Sequence, residues 1–216
     1  MVDILYQDDQ KILCVKQPGT VSQGAKEGAP DLLSALCGQT GLQRLYAVHR
    51  LDAGTGGVIC VAKTPRAASQ LSQAFSGHQV QKEYLCAVSG CPAEPDGEMR
   101  DLLYWVASAQ KSYVTDHARR GAKEAVLEYH GIQTLDTDAG RVSLMRVILH
   151  TGRTHQVRVQ FASRGMPLLG DGKYGSREKR CRTALWSSRL ILPDGTDVRS
   201  APPDVFPWSL FPDRDI

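Results

Sequence analysis

With 216 residues, 42% of them hydrophobic and 23% charged, the chain holds enough apolar material for a sizeable core and shows none of the bias of a disordered polymer. No apolar run approaches the ~20 residues of a membrane helix, and Met1-Val2-Asp3-Ile4 lacks the basic and apolar regions of a signal peptide, so a cytoplasmic chain with no membrane partner is expected. The net charge of +3 is unevenly spread: residues 141–183 carry ten basic side chains against Asp171 and Glu178 alone, which suits either a polyanionic partner or a solvated face. The six cysteines contain no Cys-x-x-Cys pair, and buried free thiols are the simplest expectation for them.

In chain order, Ile4-Leu5-Tyr6 and Ile12-Leu13-Cys14-Val15 read as strands joined by the turn chemistry of Asp8-Asp9-Gln10. Pro30-Asp31 opens a short helix through Leu32, Leu33 and Leu36 that Gly38 stops. Val58-Ile59-Cys60-Val61-Ala62 suits a buried strand. Thr64-Pro65 then caps a helix whose Ala67, Ala68, Leu71, Ala74 and Phe75 fall at helical spacing as far as Gly77. A strand at 82–88 ends at Ser89-Gly90 and a proline-rich stretch, 91–97. Further strands follow at 102–106, 111–115, 125–133 and 141–150. The segment at 155–164 fits both periods; helix is preferred, because Thr151-Gly152 can break the strand and Gly165 can close a helix. A last strand covers 185–192, and the proline-rich tail after 201 should lie extended over the surface.

One loop stands out for its density of reactive groups. His49-Arg50-Leu51-Asp52-Ala53-Gly54-Thr55-Gly56-Gly57 packs an imidazole, a guanidinium and a carboxylate into four residues before a Gly-rich bend and a buried strand, the setting in which binding and catalytic residues concentrate. A second dense stretch is Leu149-His150-Thr151-Gly152-Arg153-Thr154-His155-Gln156-Val157-Arg158, followed by Gly170-Asp171 and Tyr174-Gly175. In order and spacing these resemble the motifs of RluA-type pseudouridine synthases, His-Arg-Leu-Asp-x-x-Thr-Ser-Gly, Thr-Gly-Arg-x-His-Gln-Ile-Arg and Gly-Asp-x-x-Tyr-Gly. The agreement of several independent motifs makes the resemblance specific, and it covers about residues 3–205.

The resemblance implies an α+β fold, a mixed and mainly antiparallel sheet with flanking helices and a central cleft, formed as one domain over 1–216 with no separate N-terminal RNA-binding domain. It implies isomerisation of a uridine to pseudouridine in a stem-loop of ribosomal or transfer RNA by a monomer without cofactor or metal. Asp52 matches the family's catalytic aspartate, able to serve as nucleophile or base on the ribose. Arg158 matches the arginine expected to pair with Asp52 and hold it ionised, a task for which its planar fork is better suited than lysine. Tyr84 matches the tyrosine that stacks on the uracil. Arg50 is expected to approach the gap left by the flipped base, and His49, Arg153, His155 and Gln156 to support the pocket or touch the RNA backbone. Arg119, Arg120 and Lys123 in one basic loop, with Lys173, Arg177, Lys179 and Arg180 in a second run, are the candidates for phosphate contacts.

Some positions depart from the family pattern. Gly56 stands where serine is common, Gln17-Pro18-Gly19-Thr20 where Lys-Pro-x-Gly is usual, with Lys16 displaced, and Leu185-Trp186-Ser187 where Leu-His-Ala is common. Two other classes of function compete: an RNA-binding module of the same fold without activity, and a metal-dependent hydrolase using His49, Asp52, His150 and His155.

Overall fold

The computed structural model describes residues 1–24, 31–138 and 140–212; the predicted helix start at Pro30 lies outside them. The chain divides into two compact units, Met1–Lys82 with Trp186–Pro202, and Glu83–Leu185 with Pro203–Ile216.

In the first unit, β1 (Asp3–Gln7) pairs antiparallel with β2 (Lys11–Lys16). The turn between them is fixed by Asp8, whose Oδ1 accepts from the amides of Gln10 and Lys11, both at 2.8 Å. β2 pairs antiparallel with β4 (Gly56–Ala62) in the register Leu13↔Cys60 and Lys16↔Gly57, and the two-residue β3 (Tyr46–Ala47) also pairs with β4. β4 runs parallel to β10 (Leu185–Ile191), with Trp186 opposite Gly56, and β11 (Asp197–Arg199) edges β10. Helix α1 (Leu32–Thr40) begins at Asp31, whose side chain accepts from the Ser34 amide, and ends at Gly41 in the left-handed region, three residues past the expected stop at Gly38. Helix α2 (Pro65–Ser76) follows the expected pattern: the Thr64 hydroxyl accepts from the Ala67 amide, proline occupies the first turn, and Gly77 ends it. Its Ala67 and Ala74 join Leu13, Val58, Cys60 and Leu190 in the core of this unit.

The second unit is an antiparallel sheet in the order β5 (Gln81–Ser89), β9 (Gly140–Leu149), β8 (Lys123–Thr137), β6 (Asp96–Val106), β7 (Lys111–Thr115). β6 begins at Asp96, inside the stretch expected to be irregular, and β8 continues four residues beyond the expected 133. Helix α3 (Gln156–Ser163) settles the ambiguity at 155–164 in favour of helix, and Gly165 beyond it takes φ +77°. Eight residues cannot hold a helix unaided. α3 is fastened to β6 instead: Gln160 Nε2 donates to the Met99 carbonyl at 3.1 Å and to Asp101 Oδ2 at 2.7 Å, and Arg164 Nη1 donates to Asp101 Oδ2 at 2.9 Å. The tail corrects the expectation of an extended surface strap. It forms a short 3-10 turn at Trp208–Leu210, and Trp208 and Phe211 are buried anchors.

Candidate active site

The Asp52 loop spans β3 to β4. Its backbone is pinned at two points: the Thr55 amide donates to the Asp52 carbonyl at 3.0 Å, and the Gly19 amide donates to the Ala53 carbonyl at 2.7 Å. A third tie was not foreseen. Lys16, fully buried, points its Nζ at the carbonyls of Thr20 (2.7 Å), Gln17 (3.3 Å) and Ala53 (3.3 Å). Burial pushes its ammonium down to about 8, opposed by attraction to the Asp52 carboxylate. Displacement of this lysine from the usual motif was the only trace of it in the sequence. Asp52 itself is half-buried, and Arg50 beside it is exposed with no side-chain partner among the described residues.

The glycines that end this loop have separate reasons. Gly57 has φ +109°, and a Cβ there would overlap the backbone of Ser187. At Gly56 a Cβ would overlap the ring of Trp186 and come within 2.9 Å of Pro18. Trp186 is buried and its indole N–H donates to the Ser200 carbonyl at 2.8 Å, so the ring cannot swing away without losing that bond. Two departures from the family pattern, Gly56 and Trp186, are thus one packing solution.

His49, expected among the RNA contacts, has its partners inside the protein. Its Nε2 accepts from the Cys60 amide at 2.9 Å, and its ring stacks on Phe75 at 4.0 Å. Loss of water around the ring, reinforced by the Lys82 ammonium, pushes its pKa down to about 3, so it is neutral at physiological pH and orients the loop.

In the second unit, the loop entering α3 is held by side chains. Gln156, buried, spends its whole amide on it: Oε1 accepts from the Thr151 hydroxyl at 2.8 Å and the Arg153 amide at 3.0 Å, while Nε2 donates to the Val126 carbonyl at 3.1 Å. The Ser112 hydroxyl donates to the Thr154 carbonyl at 2.6 Å. His155 sits in the left-handed region, φ +56°, with Nδ1 2.9 Å from the Tyr174 hydroxyl. Arg158, one turn on, forks onto Asp171: Nε donates to Oδ2 at 2.6 Å and Nη2 to Oδ1 at 2.9 Å, with both side chains buried. Its guanidinium carbon lies 5.1 Å from the centre of the Tyr174 ring. Asp171 and Tyr174, quoted in the sequence only as motif letters, therefore act as positioning residues for Arg158 and His155. Tyr84 is buried on β5, opposite Val147.

The basic residues fall into two groups. Arg119 lies 4.0 Å over the Tyr104 ring, Arg153 Nε donates to the Glu124 carbonyl at 2.8 Å, and Lys123 and Arg153 line one cavity beside the β6–β7 hairpin. Lys173 Nζ reaches the Gln110 carbonyl, at 2.8 Å, at the tip of that hairpin. Arg177 and Arg180 line a different cavity with Arg141, and Arg180 is held by Glu178 over the Phe206 ring at 4.2 Å. Arg120 and Lys179 are exposed. The run 173–182, contiguous in sequence, is divided between two places. His150 of the hydrolase reading pairs with Glu128 at 2.8 Å, and no group of three His, Cys, Asp or Glu side chains among the described residues is arranged to hold a metal.

A family model described as RNA pseudouridylate synthase matches residues 10–163. The chain belongs to that family. Among curated relatives, the ribosomal large subunit pseudouridine synthase D of Zymomonas mobilis is 33% identical over 196 residues, which are 87% of this chain and 60% of that protein. The dual-specificity RNA pseudouridine synthase RluA of Escherichia coli is also 33% identical, over 88% of this chain and 82% of its own length. The chain spans about 60% of the length of the first curated relatives it matches. Among solved structures, human RNA Pseudouridylate Synthase Domain Containing 1 superposes with a TM-score of 0.81 at 24% identity, over 98% of this chain and 86% of that one. Human RNA Pseudouridylate Synthase Domain Containing 4 gives 0.76 at 24% identity, over 96% and 91%. The fold is the α+β pseudouridine synthase fold, as the motifs implied.

Proposed function

We propose that this chain isomerises a uridine of structured RNA, ribosomal or transfer, to pseudouridine, with Asp52 as the essential carboxylate and without a cofactor. The observation that carries the reading is that the family match, residues 10–163, runs through the loop bearing Asp52, the strand bearing Tyr84 and the helix bearing Arg158. The reaction detaches uracil from C1′ of its ribose, turns it and rejoins it through C5, so the proton on C5 is released to water. A carboxylate can act on the sugar as a nucleophile at C1′ or as a base at C2′, and both roles need it ionised on a backbone that does not give way. Pinning of the loop by Gly19, Thr55 and Lys16 supplies that rigidity. Tyr84 offers a ring for the flipped base, whose removal from its stack costs a few kcal/mol. Arg158, fixed by Asp171, is the cation the chemistry calls on.

The test is release of tritium from RNA labelled at uracil C5. Wild-type protein should release label with chelator present, and Asp52→Asn should abolish release while still binding RNA. Release that persists in Asp52→Asn, or that chelator removes, overturns the reading. Comparing pseudouridine positions in total RNA with and without the gene identifies the target.

A further inference from the structure

Beside the β6–β7 hairpin lies a cavity of 330 Å³, lined by Leu103, Tyr104, Trp105, Ser112, Lys123 and Arg153 and by the backbones of Gly121 and Gly152. We propose that it binds an unpaired nucleotide of the RNA, its base stacked on Trp105 and its phosphate between Lys123 and Arg153. This rests on the RNA-modifying reading above, and it adds a site that the motifs do not mark.

Trp105 is the first reason. It is 41% exposed, whereas Trp186 and Trp208 are 2% and 5% exposed. A ring this exposed adds less to the core than either of those and keeps part of its surface open to a ligand. It is nevertheless oriented: the His155 ring meets it edge-on at 5.5 Å, and β6 pairs it with the small Ser112, so nothing across the strand covers it. Its neighbour Tyr104 stacks on Tyr113 at 5.6 Å and carries the Arg119 guanidinium on its face.

Charge is the second reason. The lining holds two cations and no carboxylate. Arg153 is tethered through Nε to the Glu124 carbonyl, which aims the guanidinium and leaves its terminal nitrogens available, and Lys123 is exposed at the start of β8. Arg119, over the ring of the lining residue Tyr104, adds a third cation beside them. A ring that every base can stack on, beside cations spaced along a backbone path, is the physical requirement for holding single-stranded nucleic acid. The volume suits one base with its phosphate better than a helix.

The experiment uses the full-length protein and a short single-stranded oligouridylate carrying a fluorescent end label. Anisotropy gives the affinity, and tryptophan emission reports contact with Trp105, the one exposed indole. The oligomer should quench wild-type emission. Trp105→Ala should weaken binding on the order of tenfold, while Trp105→Phe keeps most of the affinity and loses the quench. Lys123→Ala should reduce the slope of log K against log salt by about one. Wild-type affinity in Trp105→Ala, or wild-type tryptophan emission that binding of the oligomer leaves unchanged, overturns the proposal. Failure of the catalytic reading is separable: Asp52→Asn should bind the oligomer as wild type does. A protein that releases no tritium from any RNA yet needs Trp105 for binding would keep this site and lose the activity.

Discussion

The loop that carries Asp52 and the loop that leads into Arg158 face one problem, how to hold a charged side chain on backbone that stays put, and they solve it by opposite means. The first is held by main chain and by missing side chains: carbonyls gathered round Lys16, and glycines where any Cβ would strike Trp186 or Ser187. The second is held by side-chain hydrogen bonds, the Gln156 amide on three backbone or hydroxyl groups and the Asp171 fork on Arg158. A loop of the first kind is sensitive to volume, and one of the second kind to the loss of a polar partner. The distinction matters because both kinds of damage would look alike in an activity assay.

The largest expected effect is on the fork. Arg158→Met leaves the Asp171 carboxylate, 1% exposed, without its guanidinium, and should lower stability by about 3–5 kcal/mol in urea denaturation. A loss below about 1 kcal/mol would mean that the second loop does not depend on its polar partners. Next is the glycine side. Gly56→Ser should cost about 1–3 kcal/mol by overpacking against Trp186, and Trp186→His should relieve it, so that the double variant is more stable than the sum of the single effects predicts. Additive melting shifts would break the volume argument. An effect that shows only on acidification is the pH dependence of the Asp52 loop. His49 titrates at about 3 when folded against an ordinary 6.5, so below 6.5 the unfolded chain takes up a proton that the folded chain refuses. Stability then falls with pH by up to about 1.4 kcal/mol per unit, and His49→Gln should show a shallower acid slope than wild type between pH 6 and 4. Parallel slopes would mean that the imidazole is not held neutral.

How much of this was legible in the sequence depends on the range of the interaction. α2 could be read because its signals are local: a threonine cap, a proline in the first turn, and alanines at helical spacing. α3 was ambiguous because Gln156 to Phe161 are all buried, which erases the polar face that would have revealed its period. The outer parts of β6 and β8 carry charges and glycine in place of apolar alternation, and only their pairing, from Asp96↔His130 to Leu103↔Lys123, makes them strands. Proline content hid the two aromatic anchors of the tail. Density of reactive groups drew attention to the Asp52 loop but said nothing of where each group turns. The sequence cannot show that the His49 ring is spent on the Cys60 amide, or that the basic run at 173–182 parts at the turn around Gly175, φ +98°.

The contact between Gly56 and Trp186 also constrains how such a chain could have changed over time. A serine and an indole cannot occupy that space together, whereas a glycine facing a histidine leaves only a gap. For a chain that starts from serine and histidine at these two places, the order of substitution therefore matters. Replacing the serine first avoids the clash; replacing the histidine first meets it.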